Sequence, residues 1–468
     1  MPDGRYDLLV IGGGPAGEKG ALTAAYFGKR VALIEKSPLL GGAVANTGTL
    51  PSKTLRETAL ALSGVRARDL YGVDLSLRRT ATVADFMRHE QRVAAIERVR
   101  VLDYLSRARV EVIRGCATFA DPHTLEVQTT TGPKRFAADT ILIATGSSPR
   151  RPGEFAFEDP RIADSDEVLR LERMPRRLAV IGAGVIGSEY ACTFAALGVE
   201  VHLVDGHDRL LPFLDGEVSE ALGAGMRRLG VTFHWNESVA ACAAPAGDGD
   251  ADVHLKFASG AGLEVDTVLV ASGRVSNTAQ LGLEAAGVAL GERGVVPVDA
   301  QFRTNVPHIL AAGDVIGFPA LAATSMEQAR AAVCFAFDLP IKKEVARFLP
   351  YGIYTIPEAS MVGETEESLR EKKIPYVVGR ALYRENARGS IVGDRDGFLK
   401  LLFKRDDYRL LGVHAIGEQA SELVHVGLVA LHLNAGWELF HQVCFNYPTL
   451  GWLYQRAAYD AAANARPT

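Results

Sequence analysis

Residues 6–36 read YDLLVIGGGPAGEKGALTAAYFGKRVALIEK, and this stretch decides the fold. The apolar run from Tyr6 to Ile11 suits a buried strand. Gly12, Gly14 and Gly17 follow at once in G-x-G-x-x-G spacing, and ALTAAYFGK after them has the composition of a helix. The first glycine permits a tight turn, the second lets backbone approach a pyrophosphate, and the third lets the helix press against the strand. Pro15 and Ala16 fall at the helix N-terminus, where unpaired N–H groups and a partial positive charge face phosphate. A second strand, RVALIEK, ends in Glu35, eighteen residues beyond Gly17, with Lys36 next. A carboxylate there can accept from both hydroxyls of a ribose. Strand, glycine turn, helix and terminal acid together read as a dinucleotide-binding unit.

The pattern recurs. LAVIGAGVIGSEYACTFAALGVEVHLVD carries Gly182, Gly184 and Gly187, with Val185 and Ile186 at the helix start, and its second strand ends in Asp205, again eighteen residues on. Two complete units imply two dinucleotides, and therefore transfer between them. TILIATGSSPRRPG, around Ala144, Thr145 and Gly146, and TVLVASGRVSNT, from Ala271 through Gly273 to Arg274, are strands ending in small residues. Each has the character of a crossing point between domains. ILAAGDVIG places Asp314 directly after Gly313 at a strand end, ahead of a helix expected from Ala322 to Phe337.

At 468 residues the chain exceeds what one hydrophobic core supports, so several domains are expected. Its 51 basic and 56 acidic residues, a net of -5, are interspersed, which argues against a nucleic-acid or anionic-membrane partner. The five cysteines, Cys116, Cys192, Cys242, Cys334 and Cys444, form neither a C-x-x-C nor a metal-ligand cluster and are expected to be buried, reduced thiols. No metal site is expected. The first residues enter a strand without a leader-like pattern, and no apolar run approaches a membrane span, so a cytoplasmic setting is expected.

Two further segments carry a family resemblance. Gly41 to Lys53 reads GGAVANTGTLPSK, and the C-terminal part contains Tyr447-Pro448-Thr449-Leu450-Gly451-Trp452. With the two glycine motifs, these make the chain similar to flavoproteins of the pyridine nucleotide-disulfide oxidoreductase family. The resemblance implies an α/β fold of two Rossmann-like dinucleotide-binding domains, for FAD and NAD(P), plus an α+β C-terminal dimerisation domain. The implied boundaries are 1–148 and 275–345 for the FAD-binding and central parts, 149–274 for the NAD(P) domain and 346–468 for the interface domain of a homodimer. It gives Asp314 the ribityl chain of FAD and aims the helix from Ala322 at the flavin. In YGIYTIPEASMVGETEESL, which resembles the opening of the dimerisation domain, Thr365 to Glu367 suits a helix start.

The chain departs from the disulfide reductases at four places. The frame that carries their redox cysteines has Val44 and Thr49 in the sulfur positions, and the histidine and glutamate of H-P-T-x-x-E are Tyr447 and Trp452. Two electron-carrying sulfurs, the base that handles a thiol proton and the acid that holds the base are missing together, and an ordinary tyrosine does not titrate near neutral pH. Lys53 and Glu189 match positions that in the family form an ion pair beside flavin N5, and hydride transfer needs chiefly such orientation. Tyr447 stands open between packing and shaping the flavin pocket; Trp452 and the histidines 425, 432 and 441 read as packing or surface residues.

Degraded cysteine motif, threonine at the second sulfur position and Y-P-T together resemble one branch, the soluble pyridine nucleotide transhydrogenases. This implies FAD as cofactor and nucleotide substrates, with hydride passing from NADPH to NAD+ through the flavin. Asp205 favours the free ribose diol of NAD(H) over a 2′-phosphate. His207 and Arg209, in GHDRLL, are candidates to compensate and admit NADP(H). An NAD(P)H dehydrogenase or diaphorase reducing a quinone or oxygen stays open, as does a low-turnover flavoprotein acting as a binding or regulatory subunit.

Overall fold

The computed structural model of this chain describes residues 4–64, 83–245, 251–342 and 344–465. Two compact units emerge, one of Met1–Thr54, Met87–Arg150 and Gly273–Ala346, the other of Leu55–Phe86, Arg151–Ser272 and Arg347–Thr468.

In the first unit the strand Gly4–Ile11 lies parallel between Val31–Glu35 and Gly132–Ile143. Alternation of side chains divides its apolar run between two cores. Leu8 and Val10 join a buried cluster with Leu33, Leu142 and Leu310, whereas Leu9 and Ile11 join another with Ile34, Ile141 and Ile143. Burial on both faces explains why the run reads as continuously apolar. Gly132–Ile143 changes partner along its length. Its start pairs antiparallel with Thr124–Thr129, and its end runs parallel to Gly4–Ile11 and Ile309–Ala311.

The first helix spans Pro15–Tyr26, so it begins inside the glycine motif and not after it. Proline is favoured in the first turn because that turn has no intrahelical acceptor for its missing N–H. The later helix expected from Ala322 runs to Ala336.

The second unit repeats the plan with five parallel strands in the order Val231–Trp235, Glu200–Asp205, Arg177–Ile181, Thr267–Val270, Ile162–Asp164. Its helix Val185–Ala196 again starts within the glycine motif. The remainder of the unit contains an antiparallel sheet ordered Tyr351–Ile353, Ala359–Gly363, Leu410–Ile416, Phe398–Lys404, Tyr376–Leu382. The helices Ala420–His432 and Leu453–Asn464 contribute Leu423, Val424, Tyr454 and Ala457 to the core over this sheet. The C-terminal RAAYDAAANARPT reads as a final helix with a frayed end, and its residues beyond 465 lie outside the described residues. Among the described residues no helix is long and apolar enough to cross a membrane.

The helix start expected near Thr365 is a full capping box. Thr365 Oγ1 accepts from the Ser368 amide at 3.1 Å and Ser368 Oγ accepts from the Thr365 amide at 3.0 Å ahead of the helix Glu366–Glu371. Thr365→Ala removes one of these bonds and is expected to cost about 1 kcal/mol. A urea titration checks this, and an unchanged midpoint would show the cap to be dispensable.

Candidate functional site

The two glycine turns are built alike, almost atom for atom. Gly12 has φ 108° and Gly182 φ 107°, a region open to glycine. A side chain would be excluded twice over, since a Cβ at Gly12 would lie 2.3 Å from the Ala144 carbonyl and one at Gly182 2.6 Å from that of Ala271. The third glycines are tighter. A Cβ at Gly17 would sit 1.8 Å from Gly12 O, and one at Gly187 1.9 Å from Gly182 O. Close approach of helix to strand is what leaves the first amides of the helix pointing at the space above the turn.

The terminal acids hold these turns in shape. Glu35 Oε2 accepts from the Gly13 amide at 2.6 Å and Oε1 from the Ser37 amide at 2.7 Å. Asp205 Oδ2 accepts from the Ala183 amide at 2.6 Å and Oδ1 from the His207 amide at 2.8 Å. Burial works against ionisation of Asp205, but these amides and the His207 ring outweigh it and hold the carboxyl below its ordinary range. Each carboxylate keeps acceptor capacity for a ribose beyond its two amides.

A cavity of about 390 Å³ opens beside the first turn, lined among others by Gly12, Glu35, Lys36, Cys116, Thr145 and Gln280. That volume lies within the usual range for a small-molecule site. Thr145 Oγ1, on its wall, is buried and has no hydrogen-bond partner among the described residues; in the second unit the matching hydroxyl, Ser272 Oγ, is orphaned in the same way. A buried unsatisfied hydroxyl calls for a polar partner. The cavity, the orphaned hydroxyl and the glycine cradle fit the adenosine and pyrophosphate of a dinucleotide.

Next to Ala16 of the first glycine motif, Gly313, with φ 82°, donates its amide to Gln328 Oε1 at 3.0 Å, and Asp314 Oδ2 accepts from Ser147 Oγ at 2.9 Å. Ser147 also takes the Arg274 guanidinium, Nε to Oγ at 2.8 Å and Nη2 to its carbonyl at 2.7 Å. The crossing strands Ser147–Pro149 and Arg274–Ser276 pair antiparallel, so Gly146 and Gly273, both at positive φ, are turns leading into one small ribbon. Ala322 opens the helix that follows.

The frame without sulfur forms the helix Gly42–Asn46 and the start of the helix Thr49–Ser63. Its paired glycines dock on the phosphate turn, where the Gly41 amide donates to Gly13 O at 2.9 Å and a Cβ at Gly42 would meet Gly14 Cα at 2.6 Å. Asn46 ties the frame together, donating from Nδ2 to Leu40 O at 3.0 Å and Gly42 O at 2.8 Å while its Oδ1 accepts from Arg98 Nε at 2.7 Å. These contacts need no cysteine. Val44 and Thr49 are half-buried within it. Sequence reasoning missed Arg98 and Ser147, whose partners are remote in the chain; the asparagine of the frame was the only local signal.

Lys53, on the helix Thr49–Ser63, donates to Ser52 Oγ at 3.3 Å and belongs to the first unit. Glu189, on the helix Val185–Ala196, belongs to the second, and its buried carboxylate accepts the Tyr354 amide at 3.0 Å. Tyr447 is 65% exposed and meets Trp452 edge to face at 6.2 Å. The expectation of five buried thiols is corrected: Cys192 and Cys334 are buried, Cys116 and Cys242 half-buried, and Cys444 is exposed beyond the short helix Trp437–Gln442. All five are free, and burial pushes Cys192 up to about 12.

One acidic cluster, Asp215, Glu217 and Glu366, has the spacing of a metal site but already holds a cation. The buried Lys400 Nζ lies 2.7, 3.0 and 2.5 Å from their respective oxygens.

Two twinned glycine turns, each with its own terminal acid, and a third, antiparallel sheet define a two-dinucleotide α/β oxidoreductase. Residues 6–333 match the family model described as pyridine nucleotide-disulphide oxidoreductase, and residues 349–458 match its dimerisation domain. A protein named soluble pyridine nucleotide transhydrogenase from Mycobacterium bovis is 45% identical over 464 residues, 99% of this chain and 98% of its own. One of the same name from Ectopseudomonas mendocina is 40% identical, covering 97% and 98%. Among solved structures, LpdA from Mycobacterium tuberculosis superimposes with a TM-score of 0.89 at 27% identity, over 97% of this chain and 99% of that one. The HOCl-induced flavoprotein disulfide reductase RclA from Escherichia coli, as a Cu(II) complex, gives 0.87 at 27% identity over the same shares. The chain belongs to the pyridine nucleotide-disulphide oxidoreductase family, whose flavin is FAD and whose substrates are nicotinamide nucleotides.

Proposed function

We propose that this protein is an FAD-dependent oxidoreductase that moves hydride between NADPH and NAD+ without a redox disulfide. The observation that carries the reading is full-length similarity to soluble pyridine nucleotide transhydrogenases in a chain with two intact dinucleotide turns and no sulfur at positions 44 and 49. FAD, when bound, supplies a two-electron carrier that takes hydride from one nicotinamide and passes it to another.

The first turn, Gly12 to Gly17, with Glu35, Lys36, Thr145, Gly146, Gly313, Asp314 and the helix from Ala322, is assigned to the FAD. Gly182 to Gly187 with Asp205, Gly273 and Arg274 is assigned to the nicotinamide nucleotide. Lys53 and Glu189 are assigned to orienting the nicotinamide for transfer, and Tyr447 to shaping the flavin pocket. The domain divisions at 148, 274 and 345 belong to the same reading, as does a cytoplasmic location. Homodimerisation through residues 346–468 is supported by the outward apolar face of the helix Ala420–His432 and the residue after it, where Val426, Val429 and Leu433 are 38, 58 and 68% exposed.

An anaerobic titration tests the function. NADPH is expected to bleach the yellow protein and NAD+ to restore the colour, with no long-wavelength thiolate-to-flavin band on partial reduction. Failure of both NADPH and NADH to bleach it overturns hydride transfer altogether. Recovery with a quinone but not with NAD+ would move the assignment to the diaphorase alternative.

A further inference from the structure

Comparing the two halves of this molecule isolates one side chain. In both units the terminal acid accepts from an amide in the glycine turn and from the amide two residues beyond itself, Ser37 in the first and His207 in the second. The halves differ in what that second residue adds. Ser37 brings no charge, whereas the His207 ring folds back so that Nδ1 lies 2.6 Å from Asp205 Oδ1.

We propose that His207 is the residue that lets this site accept the 2′-phosphate of NADPH beside Asp205, and so sets the balance between the two nicotinamide nucleotides. The inference rests on the nucleotide-transfer reading above and deepens it. An ionised Asp205 cannot donate, so Nδ1 carries the hydrogen of this short contact. The ring is thereby held at the strand end with 73% of the side chain exposed, against 14% for Asp205. A 2′-phosphate arriving there brings negative charge toward a carboxylate and would be repelled by it. As an imidazolium the ring carries a charge that offsets that of Asp205 and a second N–H donor for a phosphate oxygen.

The loop fixes His207 in place independently of its side chain. Its carbonyl accepts from the Asn236 amide at 3.1 Å, and the Asp205 carbonyl from the Glu237 amide at 3.0 Å. The other charged side chains of these two loops are placed differently. Asp208 and Glu237 are acidic, and Arg209 is turned to its own loop, with Nη2 donating to Pro212 O at 3.1 Å.

The test is calorimetric binding of NADP+, NAD+, 2′,5′-ADP and 5′-AMP to the purified holoenzyme and to the His207→Ser and His207→Arg variants. Serine copies the residue that the first unit uses at this position, so the loop is expected to keep its shape. His207→Ser is expected to weaken NADP+ and 2′,5′-ADP about tenfold or more, leaving NAD+ and 5′-AMP within about twofold, and His207→Arg to retain NADP+ binding. Equal weakening of all four ligands, or of none, overturns the proposal, as does failure of the unaltered protein to bind NADP+. Loss of the function reading shows separately, as a flavin that neither reduced nucleotide bleaches.

Discussion

Gly17→Ala is expected to yield a protein that purifies without flavin colour, and Gly187→Ala one that stays yellow yet is no longer bleached by NADH or NADPH. Neither glycine is needed for its backbone angles, since neither has positive φ. The obstacle is space alone. A methyl group would stand 1.8 Å from Gly12 O in one case and 1.9 Å from Gly182 O in the other, and the obstructing atoms are backbone, which cannot swing aside. The helix must shift away from its strand, and its first amides then miss the pyrophosphate that the proposed function assigns to them. Losing two or more hydrogen bonds to a charged group corresponds to about 100-fold weaker binding or more. Because the turns are twins, the pair of variants also assigns them: flavin content reads the first and nucleotide titration the second. Native nucleotide affinity in Gly187→Ala would sink the assignment of the second turn.

The other large effect is on stability. Lys400→Met keeps the volume of a side chain that is 1% exposed and removes the cation from between three carboxylates. Burial alone would raise the pKa of Asp215, but His414 and Lys400 lower it. Burial also lowers that of His414, so at neutral pH the cation on Asp215 is Lys400, whereas Glu217 also pairs with Arg380 at 2.8 Å and Glu366 with Arg370 at 2.6 Å. Against their own burial, Glu217 is held low by Arg380 and Lys400 and Glu366 by Lys400 and Tyr376, and hydrogen bonds to Asp215 and Glu366 raise Lys400 despite the desolvation that opposes its charge. Leaving the buried Asp215 carboxylate without its cation costs about 3–5 kcal/mol.

The signs set the pH window. The depressed acids stabilise the fold above their unfolded values near ~4 and lose that contribution as pH falls through their lower folded values; the raised lysine contributes below ~10.4 and loses it as pH rises through its higher folded value. In Lys400→Met the stranded Asp215 can neutralise by taking up a proton. The melting temperature is therefore expected to fall most at about pH 8, with a smaller gap to the unaltered protein at about pH 5. A gap that does not change with pH would mean that lost packing, not charge, is responsible.

The two dinucleotide units are legible because their signals are local. Three glycines, the apolar strand before them and the acid eighteen residues on are all set by distances within one strand, turn and helix, so the order of the residues alone places Glu35 and Asp205 at their strand ends. The capping box at Thr365 is local in the same way. Lys400 is not legible. It interrupts the apolar strand FLKLLFK, where its charge has no partner nearby in sequence, and its acids arrive from residues 215, 217 and 366. Ser147, which joins Asp314 to Arg274, and Arg98, which holds Asn46, are hidden for the same reason.

By itself, then, the sequence determined the class of the fold, the two nucleotide turns and the absence of a dithiol, because each is written in residues a few positions apart. Tertiary structure alone decided how Asp205 is met. His207 and Arg209 are equal candidates as letters in GHDRLL, and only the folded loop turns the imidazole onto the carboxylate and the guanidinium onto Pro212. Side-chain direction depends on which backbone atoms the loop leaves within reach, and that is settled by the strands it joins.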